Sequence, residues 1–122
     1  KKLQGYIIAE LKKTGCQVLE DPFTARTPKG PMAMNNILCR FPGSTGRMIV
    51  FSGHYDTKLF PGMNFVGAND GGSSTGLLLA LAQSLAGMPR KDDVWLVFFD
   101  GEEAIGEWSA TDGIHGSRHL AE

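Results

Sequence analysis

The sequence predicts an α/β fold on a central mixed, mainly parallel sheet. Two runs, Met48-Ile49-Val50-Phe51 and Val94-Trp95-Leu96-Val97-Phe98-Phe99, are continuously apolar, as central strands buried on both faces must be. Between them Leu78, Leu81, Ala82 and Leu85 carry helical spacing, which makes a strand-helix-strand crossover and sets the two strands parallel. Upstream, residues 16 to 27 and 32 to 41 are strand-like around the turn Pro28-Lys29-Gly30-Pro31, an antiparallel hairpin that makes the sheet mixed.

Along the chain, Leu3, Ile7 and Leu11 repeat every four residues and Gly15 is a stop signal, so residues 1 to 14 read as an amphipathic helix covering the sheet. Pro22 cannot donate to a ladder on both sides, which pushes its strand to a sheet edge. The crossover helix has Ser73-Ser74-Thr75 as capping candidates and closes at Gly87 and Pro89. Another helix begins around Gly116-Ser117-Arg118, and the sequence ends within it. No repeat, linker or low-complexity tract divides the chain, and a crossover with one hairpin provides too few helices for both faces of a buried sheet. Residues 1–122 are therefore expected to be the N-terminal part of one domain.

Of 122 residues, 42% are apolar and 20% charged, which is ordinary for a folded soluble domain. The net charge of −1 comes from scattered residues, so no electrostatic footprint for nucleic acid or an acidic membrane surface exists. No apolar run approaches the ~20 residues of a membrane span. Cys16 and Cys39 fit no thiolate metal spacing and read as two small apolar side chains, unless their segments are neighbours and they pair. The sequence begins in mid-helix without a visible signal peptide, which leaves localisation unread.

Polar chemistry gathers where the apolar strands end, at the sheet rim where α/β proteins bind ligands. The first strand runs into Gly53-His54-Tyr55-Asp56 and the second into Asp100-Gly101-Glu102-Glu103, while Gly67-Ala68-Asn69-Asp70-Gly71-Gly72 leads into the crossover helix. An imidazole crowded by carboxylates there would repel itself unless a cation sits among them, and that donor mixture suits zinc better than magnesium or calcium. Neighbouring Glu102 and Glu103 point differently, so one can bind metal while the other exchanges protons with a substrate. Asp56 is placed to take a hydrogen bond from the second ring nitrogen of His54.

Each signal alone has an ordinary explanation. Asp70 before two glycines is a common turn or cap residue, a lone His54 is commonly a hydrogen-bonded histidine, and Glu102-Glu103 would favour a helix start through its dipole. Their convergence on one rim is what points to a site. Trp95, within a strand, reads as core; Trp108, among small and polar residues, reads as a pocket wall. His115 and His119, with no acids converging on them, read as packing or surface residues.

The segments Gly53-His54-Tyr55-Asp56-Thr57, Gly67-Ala68-Asn69-Asp70-Gly71 and Phe98-Phe99-Asp100-Gly101-Glu102-Glu103 resemble, in order and spacing, the metal motifs of the zinc aminopeptidase family. The stretch from Glu107 to Ala121 and the N-terminal part through Thr27-Pro28 are similar to its glutaminyl cyclase branch. The resemblance implies a three-layer α/β sandwich, the zinc exopeptidase fold. It also implies Asp70, Glu103 and His54 at the metal positions, Glu102 as general acid/base, Trp108 in the pocket, and a cis peptide between Asp70 and Gly71. The family's remaining zinc histidine and a further acid fall beyond the equivalent of Glu122. The disulfide beside the site in animal cyclases is absent, since Gly53 and Thr75 stand near those positions.

The implied partners are peptide or protein N-termini, and the implied setting is periplasmic or secreted. Two reactions are expected from such a site: cyclisation of an N-terminal glutamine with loss of ammonia, or hydrolysis of the first peptide bond. A third reading is a non-catalytic binding domain of the same fold. The retention of His54, Asp70, Glu102 and Glu103 argues against it.

Overall fold

The computed structural model describes residues 2–56, 71–106 and 108–122. Helix α1 (Lys2–Lys12) is followed by β1 (Gln17–Thr27), β2 (Gly30–Phe41), β3 (Met48–His54), α2 (Gly72–Leu85), β4 (Asp93–Phe99) and α3 (His115–Ala121). The strands form one four-stranded sheet in the order β1-β2-β4-β3, antiparallel except for the parallel pair β3 and β4.

The hairpin is tighter than expected. Gly30 already pairs with Thr27, so only Pro28 and Lys29 form the loop, and Gly30 holds φ 95°, a conformation open to glycine. Pro22 lies on β1, at the sheet edge, as its missing N–H requires.

Alternation along β2 sorts the layers. Ile37, Cys39 and Phe41 join Leu96 and Phe98 of β4 in the core, against Ile7 and Leu11 of α1 and Leu78 and Ala82 of α2. On the opposite face the side chain of Asn36 meets the start of α3 through the Gly116 carbonyl. Helices therefore stand on both faces of the sheet, as the expected layered architecture demands.

Three expectations need correction. β3 is the outer strand rather than a central one: Met48, Ile49, Val50 and Phe51 are each 45–58% exposed, and among the described residues no strand pairs with its outer edge. Continuous apolarity identifies a strand made for burial but not which neighbours supply it. Ser73-Ser74-Thr75 do not cap α2; Gly71 occupies that position with φ 96°, and the hydroxyls of Ser74 and Thr75 donate to the carbonyls of His54 and Gly71. Finally, Cys16 and Cys39 form a disulfide, because the turn after α1 places Cys16 beside β2, with Cα atoms 5.8 Å apart.

Candidate active site

The parallel pairing of β3 with β4 ends at His54 opposite Phe99, and Tyr55 N–H donates to the Phe99 carbonyl at 3.0 Å. The segments His54-Tyr55-Asp56 and Asp100-Gly101-Glu102-Glu103 thus leave the sheet side by side. The Asp56 carboxylate closes the gap between them. One oxygen accepts the N–H of Glu102 and the other that of Glu103, both at 3.0 Å.

The expected tie between His54 and Asp56 runs mainly through the main chain. His54 Nδ1 lies 3.0 Å from the Asp56 carbonyl oxygen and 3.5 Å from its carboxylate, which the two amides already occupy. A carbonyl only accepts, so Nδ1 carries a proton; in the neutral ring Nε2 then keeps the lone pair, the form a metal ligand needs.

Glu102 turns toward α3. Its Oε2 accepts the Ser117 N–H at 2.9 Å, and its own carbonyl accepts Ile114 N–H at 2.9 Å. Gly101 adds a carbonyl to His115 N–H at 2.8 Å, using φ 68° at a position where a Cβ would run into the Met34 thioether. Glu103, half-buried like Glu102, is placed by the amide that Asp56 holds.

Beneath these acids lies a buried polar seam that the sequence reading missed. Asp100 accepts Asn35 N–H at 2.9 Å, and Tyr55 donates its hydroxyl to the Asn35 carbonyl. Burial, joined by the negative charge of Asp56, raises the Asp100 carboxyl above the usual carboxylate range. Burial, and then the Asp100 charge, likewise pushes the Tyr55 phenol above its ordinary value. Asn36, fully buried, accepts Asp100 N–H at 3.0 Å and donates to Gly116 O at 2.9 Å and to Asp21 at 3.2 Å. The available signal was two consecutive amides inside an apolar strand, because buried polar groups require partners.

The loop after Glu103 is organised by Asp112, only 1% exposed. Its carboxylate accepts the N–H groups of Ile105 (3.0 Å) and Gly106 (2.8 Å) and meets His115 Nε2 at 3.0 Å. Burial acts to raise its pKa, but those hydrogen bonds and the histidine outweigh it and hold the carboxyl below its ordinary value. Trp108 lies with its ring against Gly113 and remains 57% exposed, outside the core. His115 and His119 do have acidic partners, contrary to expectation: Asp112 for the first, and Asp21, 3.2 Å away, for the second, which also stacks on Phe23. Their packing role stands.

Asp70 and its peptide to Gly71 lie outside the described residues. Gly71 itself sits against the His54 ring: a Cβ there would be 3.5 Å from Cε1 and 2.9 Å from the Asp56 carbonyl oxygen. The start of α2 therefore reaches the same rim. Among the described residues no three His, Cys, Asp or Glu side chains converge closely enough to hold a metal ion. Asp56 links His54 to the main chain of Glu102 and Glu103 at one rim, with Trp108 on the following loop.

Fold and rim define an α/β protein with its candidate functional groups at the carboxyl ends of two parallel strands. The chain belongs to peptidase family M28, whose sequence pattern matches residues 36–122. It is 41% identical over 117 residues to the glutaminyl-peptide cyclotransferase-like protein of Mus musculus, covering 88% of this chain and 30% of that protein. It is 38% identical over 125 residues to the glutaminyl-peptide cyclotransferase of Drosophila melanogaster, covering 98% and 35% respectively. The crystal structure of an Acidobacteriales bacterium glutaminyl cyclase superposes with a TM-score of 0.89 and 46% identity, over 97% of this chain and 42% of that one. The chain thus spans about a third of the length of the curated relatives it matches.

Proposed function

We propose that the protein carrying this chain is a zinc-dependent glutaminyl-peptide cyclotransferase, with residues 1–122 forming the N-terminal part of its single catalytic domain. The supporting observation is the placement of Glu102. In a chain this similar to named cyclotransferases, one carboxylate oxygen is held by Ser117 N–H, while Oε1 is unengaged among the described residues.

The donor set suits zinc: a histidine whose Nε2 carries the lone pair, the carboxylate of Glu103 on the segment that Asp56 clamps, and Asp70 one residue before the glycine that touches His54. Bound zinc would polarise the side-chain amide of an N-terminal glutamine. Glu102 takes a proton from the α-amine as its nitrogen bonds to the side-chain carbonyl carbon. It then delivers that proton to the departing nitrogen, which leaves as ammonia, and the product is a pyroglutamyl peptide. Trp108 offers an open ring face to the substrate. Peptide and protein N-termini are the partners this chemistry accepts. The Cys16–Cys39 disulfide supports a periplasmic or secreted setting, where such bonds persist.

Membership of a peptidase family favours one alternative, in which Glu102 activates water for hydrolysis of the first peptide bond. Metal analysis of the whole protein, with product analysis on a glutamine-initiated peptide, separates the two. Ammonia release with about one bound zinc supports the cyclase, whereas amino-acid release without ammonia assigns the hydrolase.

A further inference from the structure

We propose that Asn36 is a positioning residue for Glu102, holding the acid's main chain and the group that fixes its carboxylate in one frame. The inference rests on the catalytic role given to Glu102 above. Besides the Asp56 clamp on its N–H, Glu102 is held from two sides: its chain enters from Asp100, and its Oε2 is fixed by Ser117 N–H at the start of α3. Asn36 touches the residue that controls each side. Its Oδ1 accepts Asp100 N–H, two residues before Glu102, and its Nδ2 donates to the carbonyl of Gly116, next to Ser117. The amide orientation is fixed because Asp100 offers a donor and Gly116 an acceptor.

The frame has no slack. A Cβ on Gly116 would overlap the Asp100 carbonyl and Asn36 Oδ1, so α3 begins in direct contact with the acidic segment. Asn36 is 0% exposed, and water cannot substitute for it without entering the seam. Asp21, itself 3.2 Å from His119, accepts the second N–H of the amide and holds the whole group from β1. Asp56 reaches the amides of Glu102 and Glu103 alike from β3, and only Glu102 adds the side-chain contact to Ser117 at the start of α3. Loss of Asn36 therefore loosens Glu102 against α3 while leaving the clamp on Glu103 in place. Turnover should fall more than metal binding or substrate binding.

The test uses the whole protein with Asn36→Ala and Asn36→Asp, the latter keeping the shape and the acceptor for Asp100 but losing the donors to Gly116 and Asp21 and setting an oxygen against both acceptors. Steady-state cyclisation of a glutamine-initiated peptide is measured per bound zinc, together with zinc content and thermal unfolding. The expected result is a kcat lower by on the order of tenfold to a hundredfold for Asn36→Ala, and at least as much for Asn36→Asp, with zinc content unchanged and KM within about twofold. If kcat per bound zinc is unchanged and only the unfolding temperature drops, Asn36 is structural glue and the assignment is overturned; parallel loss of zinc and activity overturns it too. Should one of the two variants fail to fold, the other decides by the same criteria. If the unmutated protein releases amino acids instead of ammonia, the cyclase reading fails, and the Asn36 comparison is made on hydrolytic kcat. If it does neither, Glu102 has no catalytic role and the assignment falls with it.

Discussion

The Asp56 carboxylate and the Glu103 amide, 47 residues apart in sequence, meet at 3.0 Å, while the second Asp56 oxygen accepts Glu102 N–H at the same distance. Asn cannot reproduce this arrangement, since its NH2 would face an N–H. Asp56→Asn in the whole protein should lower zinc affinity or kcat/KM by roughly 10- to 100-fold, the usual range for groups that orient metal ligands. Titration with a zinc chelator alongside kinetics checks it; wild-type values for both would show that the clamp is dispensable.

Glu102→Gln keeps an oxygen available to Ser117 N–H but cannot shuttle a proton. Turnover should drop by on the order of 10²- to 10⁴-fold with zinc stoichiometry preserved. A variant that loses its metal together with activity would move Glu102 from proton transfer to metal binding.

The Cys16–Cys39 disulfide joins residues 23 apart across the open end of the β1–β2 hairpin, and Cys39 is part of the core. Replacing both with Ser should cost about 3 kcal/mol in urea unfolding, the magnitude expected for closing a loop of this size. Addition of reductant should reproduce the shift in the unmutated protein, and an unchanged midpoint in both experiments would contradict it.

Asp112 has a folded-state pKa below its ordinary value, so its stabilising contribution is complete above about pH 4 and disappears as pH falls toward the lower folded value. Asp112→Asn should lose about 1–3 kcal/mol near neutral pH through broken hydrogen bonds to Ile105 and Gly106. It should also flatten the acid limb of stability against pH. Parallel acid limbs in variant and parent would remove Asp112 as a source of acid sensitivity.

Much of the architecture was legible because local patterns and tertiary demands agree. The spacing of Ile7 and Leu11, the helical repeat of Leu78 and Ala82, and the alternate residues Val94, Leu96 and Phe98 of the apolar run all end in the same core. The rim was legible because His54, Asp56, Glu102 and Glu103 follow strands too apolar to hold them elsewhere. What escaped depends on distant partners. Ser74 and Thr75 look like caps, but nearby carbonyls claim their hydroxyls. His115 and His119 find acids only once α3 is docked. Asn35 and Asn36 carry no motif, and their importance comes from contacts 64 to 80 residues away. The edge position of β3 is invisible in its composition, which records how much burial a strand is built for and not which element provides it.

That position bears on how the chain behaves when handled. Among the described residues, Met48 to Phe51 combine exposed apolar side chains with a hydrogen-bonding edge that no strand pairs, and no charge or proline interrupts them. This combination templates strand addition. Expressed as 122 residues, the chain should self-associate through β3 as its concentration rises, so poor solubility of that product would reflect a sticky ladder edge and not a failure of the core to form.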